Sequence, residues 1–188
     1  MEVEVSAEAK DKRLNRMVAV TVVMLSIFMA LCNIKDGNIV QAMQQAQADA
    51  VDAWNEYQAA KIKLHVSETS RAQFALLART PAASGEAKAD MKKLDADIAK
   101  YRAEIPGLAQ RAKGYAAQYD ALNIHDDQFD ASEAMTTTAI SLAAVAALSE
   151  SVALVAGSWA FGAFGMVLGV CGFAKWGFHP DILSNFLG

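Results

Sequence analysis

The first residues to weigh for chemistry are imidazole and carboxylate side chains, because such groups bind divalent metals. The chain carries six of them in two short segments: His125, Asp126, Asp127, Asp130, His179 and Asp181. Neighbouring residues point in divergent directions, however, and Asp commonly caps helices and forms turns. We therefore interpret them as polar residues at helix ends. The sequence predicts no metal, no cofactor and no catalytic group, and the motifs typical of enzymes are not found.

A second candidate is Glu150, the one charged residue in the 41-residue run from 134 to 174. An ionisable residue in such a run is a candidate functional site. On a helix it shares a face with Ala143, Ala146 and Ala147, and small residues allow another helix to approach. We predict that the Glu150 carboxylate points into a helix interface, and a proton or cation site is the alternative.

The composition indicates a membrane protein with a soluble insert. The chain has 188 residues, 54% of them apolar, and a net charge of −4, which gives no reason to expect a nucleic-acid partner. The apolar residues concentrate in residues 17–34 and 134–174, whereas the residues between them carry most of the charge. Cys32 and Cys171 fall inside these runs, where we expect small packing residues and no disulfide framework.

Three membrane spans follow from the lengths of these runs. Residues 17–34 reach the lower limit for one spanning helix, and no cleavage site follows, so a retained anchor is favoured over a signal peptide. The second run suits two helices, which we divide at Gly157 and Ser158. The predicted segments are a tail (1–16), span 1 (17–36), a helical hairpin (37–130, turn near 80–86), span 2 (131–156), span 3 (157–178) and a tail (179–188).

Basic residues set the expected orientation. Four lie before span 1, namely Lys10, Lys12, Arg13 and Arg16, whereas Lys35 and Lys175 flank the opposite side. Because cytoplasmic flanks are enriched in Lys and Arg, we expect a cytoplasmic N-terminus and a helical hairpin outside the cytoplasm.

The middle segment is predicted to form an antiparallel coiled-coil hairpin. Apolar residues recur at alternating steps of three and four, which is the spacing of a seam along which two helices meet. The first series is Ile39, Met43, Ala46, Ala50, Ala53, Tyr57, Ala60 and Leu64; the second is Met91, Leu94, Ile98, Tyr101, Ile105, Leu108, Ala112, Tyr115, Tyr119 and Leu122. The stretch TPAASG between them has turn residues.

Span 3 carries a glycine stripe, defined as Gly162, Gly165, Gly169 and Gly172, whose steps of three and four place all four on one helix face. Glycines at this spacing allow helices to approach closely. We expect the stripe to pack against span 2 of the same chain, against a second subunit, or against both.

Three stretches resemble a known bacterial family. They are CNIKDGNIVQAMQQAQADAVDAWNEYQA (32–59), HDDQFDASEA (125–134) and HPDIL (179–183). They are similar to the family catalogued as domain of unknown function 4337. The resemblance implies a small bacterial inner-membrane protein with terminal spans around a helical segment, and it brings no known activity or ligand.

The expected function is that of a non-enzymatic inner-membrane scaffold that self-associates in the lipid bilayer. The alternative is a channel or proton-driven motor-like subunit. In that case the polar residues of span 2 line a pathway; they are Thr136, Thr137, Thr138, Ser141, Ser149 and Glu150. That alternative rests on architecture alone.

Overall fold

A computed structural model describes residues 2–79 and 84–178. Within them the chain forms three helices: α1 (Glu2–Leu77), α2 (Ser84–Ser149) and α3 (Val152–Ala174). No strand occurs in these two ranges. All three helices are long and apolar enough to cross a membrane. The all-helical fold and its three candidate spans therefore agree with the sequence-based prediction.

The chain divides into two units, each with its own contacts. Unit 1 comprises Met1–Met43 and Asp120–Gly188, and unit 2 comprises Gln44–Tyr119. In unit 1 the first part of α1, the last part of α2 and all of α3 pack together. One buried cluster there joins Leu14 and Val18 of α1 to Ala143 and Ala146 of α2 and Val155 of α3.

In unit 2 the second part of α1 lies antiparallel to the first part of α2. Three ion pairs show the antiparallel arrangement: Glu56–Arg111, Glu68–Arg102 and Arg71–Asp95. As the residue number increases along α1, the number of the partner residue on α2 decreases. The residues of the two predicted seam series are all buried or half-buried. Ala46, Ala53, Ala60 and Ser67, spaced by seven, are buried on α1.

The predicted division between the last two helices is wrong. The turn between the last two helices lies at Glu150 and Ser151 and not at Gly157 and Ser158, so span 2 does not extend to residue 156. Gly157 and Ser158 are small residues inside α3, where the Ser158 hydroxyl donates to the Ala139 carbonyl over 2.7 Å. Small size here serves packing between helices and not a turn.

The boundaries predicted between a span and the hairpin, at residues 36/37 and 130/131, fall inside continuous helices. α1 continues through Gly37 and α2 continues through Asp130, because neither residue breaks a helix whose neighbours keep packing. The turn predicted near residues 80–86 falls partly on residues 80–83, outside the described residues. Ser84 already begins α2.

Candidate functional site

The glycine stripe of α3 packs within the chain. All four glycines are buried, and three of them, Gly165, Gly169 and Gly172, lie so close to another helix that a Cβ atom would collide there. A Cβ on Gly165 would lie 2.9 Å from Thr136 Cγ2 and 3.1 Å from the Ser132 carbonyl oxygen on α2. Only glycine permits this approach, so the stripe is the surface on which the three helices of unit 1 meet.

The other three glycines extend the same surface. A Cβ on Gly169 would lie 2.7 Å from Phe28 Cζ of α1, and one on Gly172 would lie 2.8 Å from the Phe129 ring of α2. Gly162 faces Leu25 of α1, and a Cβ on Gly162 would lie 3.0 Å from Leu25 Cδ2. The stripe therefore contacts both α1 and α2.

Hydroxyl groups add hydrogen bonds across this surface. Ser132 Oγ donates to the Gly165 carbonyl over 2.7 Å, and Trp159 Nε1 donates to Thr21 Oγ1 over 2.8 Å. Interhelical bonds of this kind are the polar contacts that spanning helices use where water is absent. The bond from Ser132 is possible because Gly165 lets the two backbones come together.

Glu150 does not lie inside a helix interface, so that prediction is wrong. It is an exposed turn residue with φ of 50°, a left-handed conformation that few residues other than glycine adopt readily. This conformation ends α2 and lets the Ser151 N–H bond to the Ala146 carbonyl at 3.2 Å. The carboxylate is tolerated because the chain reverses at this position and exposes it at the end of two helices.

The other polar residues assigned to a pathway face different directions. Thr136 is buried against Gly165 of α3, whereas the Thr137 hydroxyl lies 3.6 Å from the Met29 sulfur of α1. Thr138, Ser141 and Ser149 donate to the carbonyl four residues earlier in their own helix. Their hydroxyls are thus satisfied within their own helix.

Polar side chains at residues 125–128 of α2 contact the residues that follow α3. The Gln128 side chain is fully buried; its Nε2 donates to the Trp176 carbonyl over 2.8 Å and also to the Phe178 carbonyl. His125 Nδ1 lies 3.1 Å from Gln128 Oε1 and orients that amide. Sequence reasoning missed Gln128, because a single glutamine in a polar stretch gives no signal of burial.

Carboxylates of α1 and α2 also meet at this end of unit 1. The Asp36 and Asp126 carboxyls are close enough to share a hydrogen bond, which requires one of the two to be protonated. Burial raises the pKa of Asp126, the hydrogen bond from Asp36 opposes this, and the charge of Asp127 raises the pKa further. One oxygen of Asp36 is buried without a hydrogen-bond partner.

This group is not arranged as a metal site. In residues 2–79 and 84–178, no set of three or more His, Cys, Asp or Glu side chains is placed to hold a metal ion. His179 and Asp181 lie outside the described residues. Cys32 and Cys171 are buried free thiols.

The geometry defines an all-helical protein with three helices apolar enough to span a membrane. A sequence model of the family described as "Domain of unknown function (DUF4337)" matches residues 14–175, which is most of the chain. The chain belongs to this family. Comparisons with curated proteins and with solved structures found no match.

Proposed function

We propose that this protein is a non-enzymatic membrane scaffold that self-associates through unit 2, in which α1 and α2 form an antiparallel coiled-coil hairpin. The buried seam residues and the three ion pairs beside them support the coiled coil. The inner membrane, a cytoplasmic N-terminus and an external hairpin belong to the same proposal, and the basic residues before span 1 support that orientation.

The observation that carries the proposal is an outer face on α1, defined as Val51, Ile62 and Val66. These side chains are more than half exposed, Ile62 by 63%. At 100° per residue they lie within about 60° of one another and roughly opposite the buried Ala53 and Ala60. An exposed aliphatic face on a helix outside the apolar runs marks an interaction surface.

The outer face of α1 has no counterpart on α2. Across the described residues of unit 2, every exposed large apolar side chain belongs to α1, and the outward side of α2 is polar. A partner therefore approaches α1. A second copy is the occupant best suited to this face, because two copies anchored in one membrane can pair the same face around a two-fold axis.

Disulfide trapping tests this proposal. The background carries Cys32→Ala and Cys171→Ala, which replace buried thiols by a smaller apolar residue. In it, Ile62→Cys on the outer face should form a disulfide-linked dimer in membranes under mild oxidation, since the axis brings the two copies of this position together. Ala103→Cys, exposed on α2, is the matched control and should remain monomeric. Equal cross-linking at both positions, or none at Ile62→Cys, would count against this interface.

The same background tests orientation. Gly85→Cys at the start of α2 should react with an impermeant thiol reagent in spheroplasts, and Ser149→Cys at the α2–α3 turn should react only after lysis. Both positions are exposed. The reverse result would invert the orientation without affecting the number of spans.

A further inference from the structure

A groove runs between α1 and α3 in unit 1 and has a volume of about 580 Å³. This is the size range of small-molecule sites in proteins. Its walls are Met17, Val20 and Met24 of α1 and Trp159 and Met166 of α3. Gly162 and Ala163 leave the space open because their side chains are the smallest available.

The two polar donors on the α3 wall of the groove are already bonded within the protein. Trp159 Nε1 donates to Thr21, and the buried Ser158 hydroxyl donates to the Ala139 carbonyl. What remains is an apolar cleft with Arg16 at one end. Arg16 is exposed and has no ion pair with any residue that the structure describes.

The position of Arg16 matches the interface of a bilayer. Arg16 directly precedes the uncharged stretch 17–34, so its guanidinium lies where the apolar part of α1 begins. Basic residues at this depth attract anionic headgroups. From Met17 to Met24 the groove extends about 10 Å along α1 at 1.5 Å per residue, into the region where acyl chains lie.

We propose that the α1–α3 groove binds an anionic glycerophospholipid, with the phosphate at Arg16 and one acyl chain along Val20, Met24 and Met166. The ligand and groove are complementary, because each has one charged end and one apolar body. A second copy suits this groove less well. The glycine stripe, which would admit a close helix, already faces α1 and α2 of the same chain.

Fluorescence of Trp159 reports on this site, since the indole lies in the groove and is half exposed. Trp54→Phe and Trp176→Phe leave Trp159 as the single tryptophan of the full chain. The protein is placed in mixed vesicles of phosphatidylcholine and phosphatidylglycerol, with bromine on the acyl chains of one lipid or the other. Bromine quenches an indole that it contacts. Brominated phosphatidylglycerol should quench more strongly, with a relative association constant on the order of fivefold.

Arg16→Gln should reduce this preference to near parity, because the headgroup contact is lost. Arg13→Gln removes the same charge from a residue that lines a different pocket, with Leu14, Met17 and Val152, and should keep most of the preference. Ala163→Leu fills the groove at an exposed position and should also abolish the preference.

Three results would overturn the site: equal quenching by the two lipids, equal losses in Arg13→Gln and Arg16→Gln, or no quenching by either lipid. The second would show diffuse attraction of anionic lipid, and the third would show that a protein surface covers Trp159. None of these results bears on self-association through Val51, Ile62 and Val66, which belong to unit 2.

Discussion

The two units hold their helices together by different means, although α1 and α2 contribute to both. In unit 1, glycines bring α3 against its neighbours, and hydroxyls such as Ser132 and Ser158 donate to carbonyls of the facing helix. In unit 2, a row of alanines is buried along α1, and Arg–Glu and Arg–Asp pairs lie at its edges.

This difference matches two environments: the packing of unit 1 is the kind that stabilises helices in lipid, and the packing of unit 2 is the kind that stabilises them in water. Apolar side chains gain nothing by leaving lipid for another helix, so close backbone contact and hydrogen bonds must supply the attraction. In water the burial of apolar area supplies it, and charged groups can remain solvated at the edge. We therefore expect the environment of α1 to change where its residue types change.

The carboxylates show the same contrast. In unit 2, Glu56, Glu68 and Asp95 each face an arginine across the helix pair. In unit 1, Asp126 faces Asp36 instead and lies near Asp127. Acids lie beside bases in unit 2, whereas acids lie beside acids in unit 1, so we expect the stability of unit 1 to depend on pH.

The largest expected effect comes from placing a charge in the buried seam of unit 2. Ile98 is 8% exposed, so Ile98→Asp removes apolar contacts and buries a carboxylate, at a cost on the order of 4 kcal/mol. Hydrogen exchange of the full chain in micelles should show faster exchange throughout unit 2.

Ile62→Asp is the matched control, because this side chain already faces outward. Its exchange should remain close to that of the parent, because the new carboxylate stays exposed to solvent. Similar destabilisation by both substitutions would contradict the assignment of a buried and an outer face to unit 2.

The next effect tests the close packing of unit 1. Gly165→Ile adds atoms where a Cβ alone would lie 2.9 Å from Thr136 and 3.0 Å from Met135. Overpacking of this kind costs about 1–3 kcal/mol. Denaturation by dodecyl sulfate should occur at a lower detergent fraction, whereas the exchange of unit 2 should stay unchanged. Val170→Ile, at an exposed position of the same helix, should behave like the parent. An unaltered Gly165→Ile would mean that α3 does not need close contact.

Much of the fold could be predicted from sequence, because it depends on patterns that repeat over many residues. The apolar runs indicated the number of candidate spans, and the spacing of three and four identified buried or half-buried residues between Ile39 and Leu122, most of them in unit 2. The stripe of four glycines also indicated a packing surface before any partner was known. A periodic pattern still predicts the structure correctly when one residue departs from it, because several other residues support the same pattern.

The turn and the polar contacts could not be predicted, because each depends on one residue. Gly157 and Ser158 look like a turn, whereas Glu150, which forms it, is a good helix former. The residue at which α2 ends is seen only in the three-dimensional structure. The burial of Gln128 and the pairing of Asp36 with Asp126 likewise join residues that are distant in sequence.

A smaller effect concerns the acids of unit 1. Because burial raises the pKa of Asp126, the folded state favours the protonated carboxyl. This stabilisation is fully present below the pKa of the unfolded chain, about 3.9, and is lost as pH rises through the raised pKa. Asp126→Asn should therefore weaken the pH dependence of denaturation above about pH 4, whereas Asp52→Asn, exposed in unit 2, should not. An unchanged pH profile in Asp126→Asn would show that the acids of unit 1 do not set its stability.

The smallest effect is expected for the ion pairs at the edge of unit 2. Arg102 Nη2 lies 2.6 Å from Glu68 Oε1, but the two side chains are 64% and 38% exposed. Exposed pairs contribute about 0.2–1 kcal/mol, and salt screens them. A double-mutant cycle with Arg102→Gln and Glu68→Gln should give a coupling energy in this range that shrinks at high salt. A coupling energy as large as the cost of Ile98→Asp would show that charge, and not apolar burial, holds unit 2 together. In that case ionic pairing, and not the buried seam, would distinguish unit 2 from unit 1.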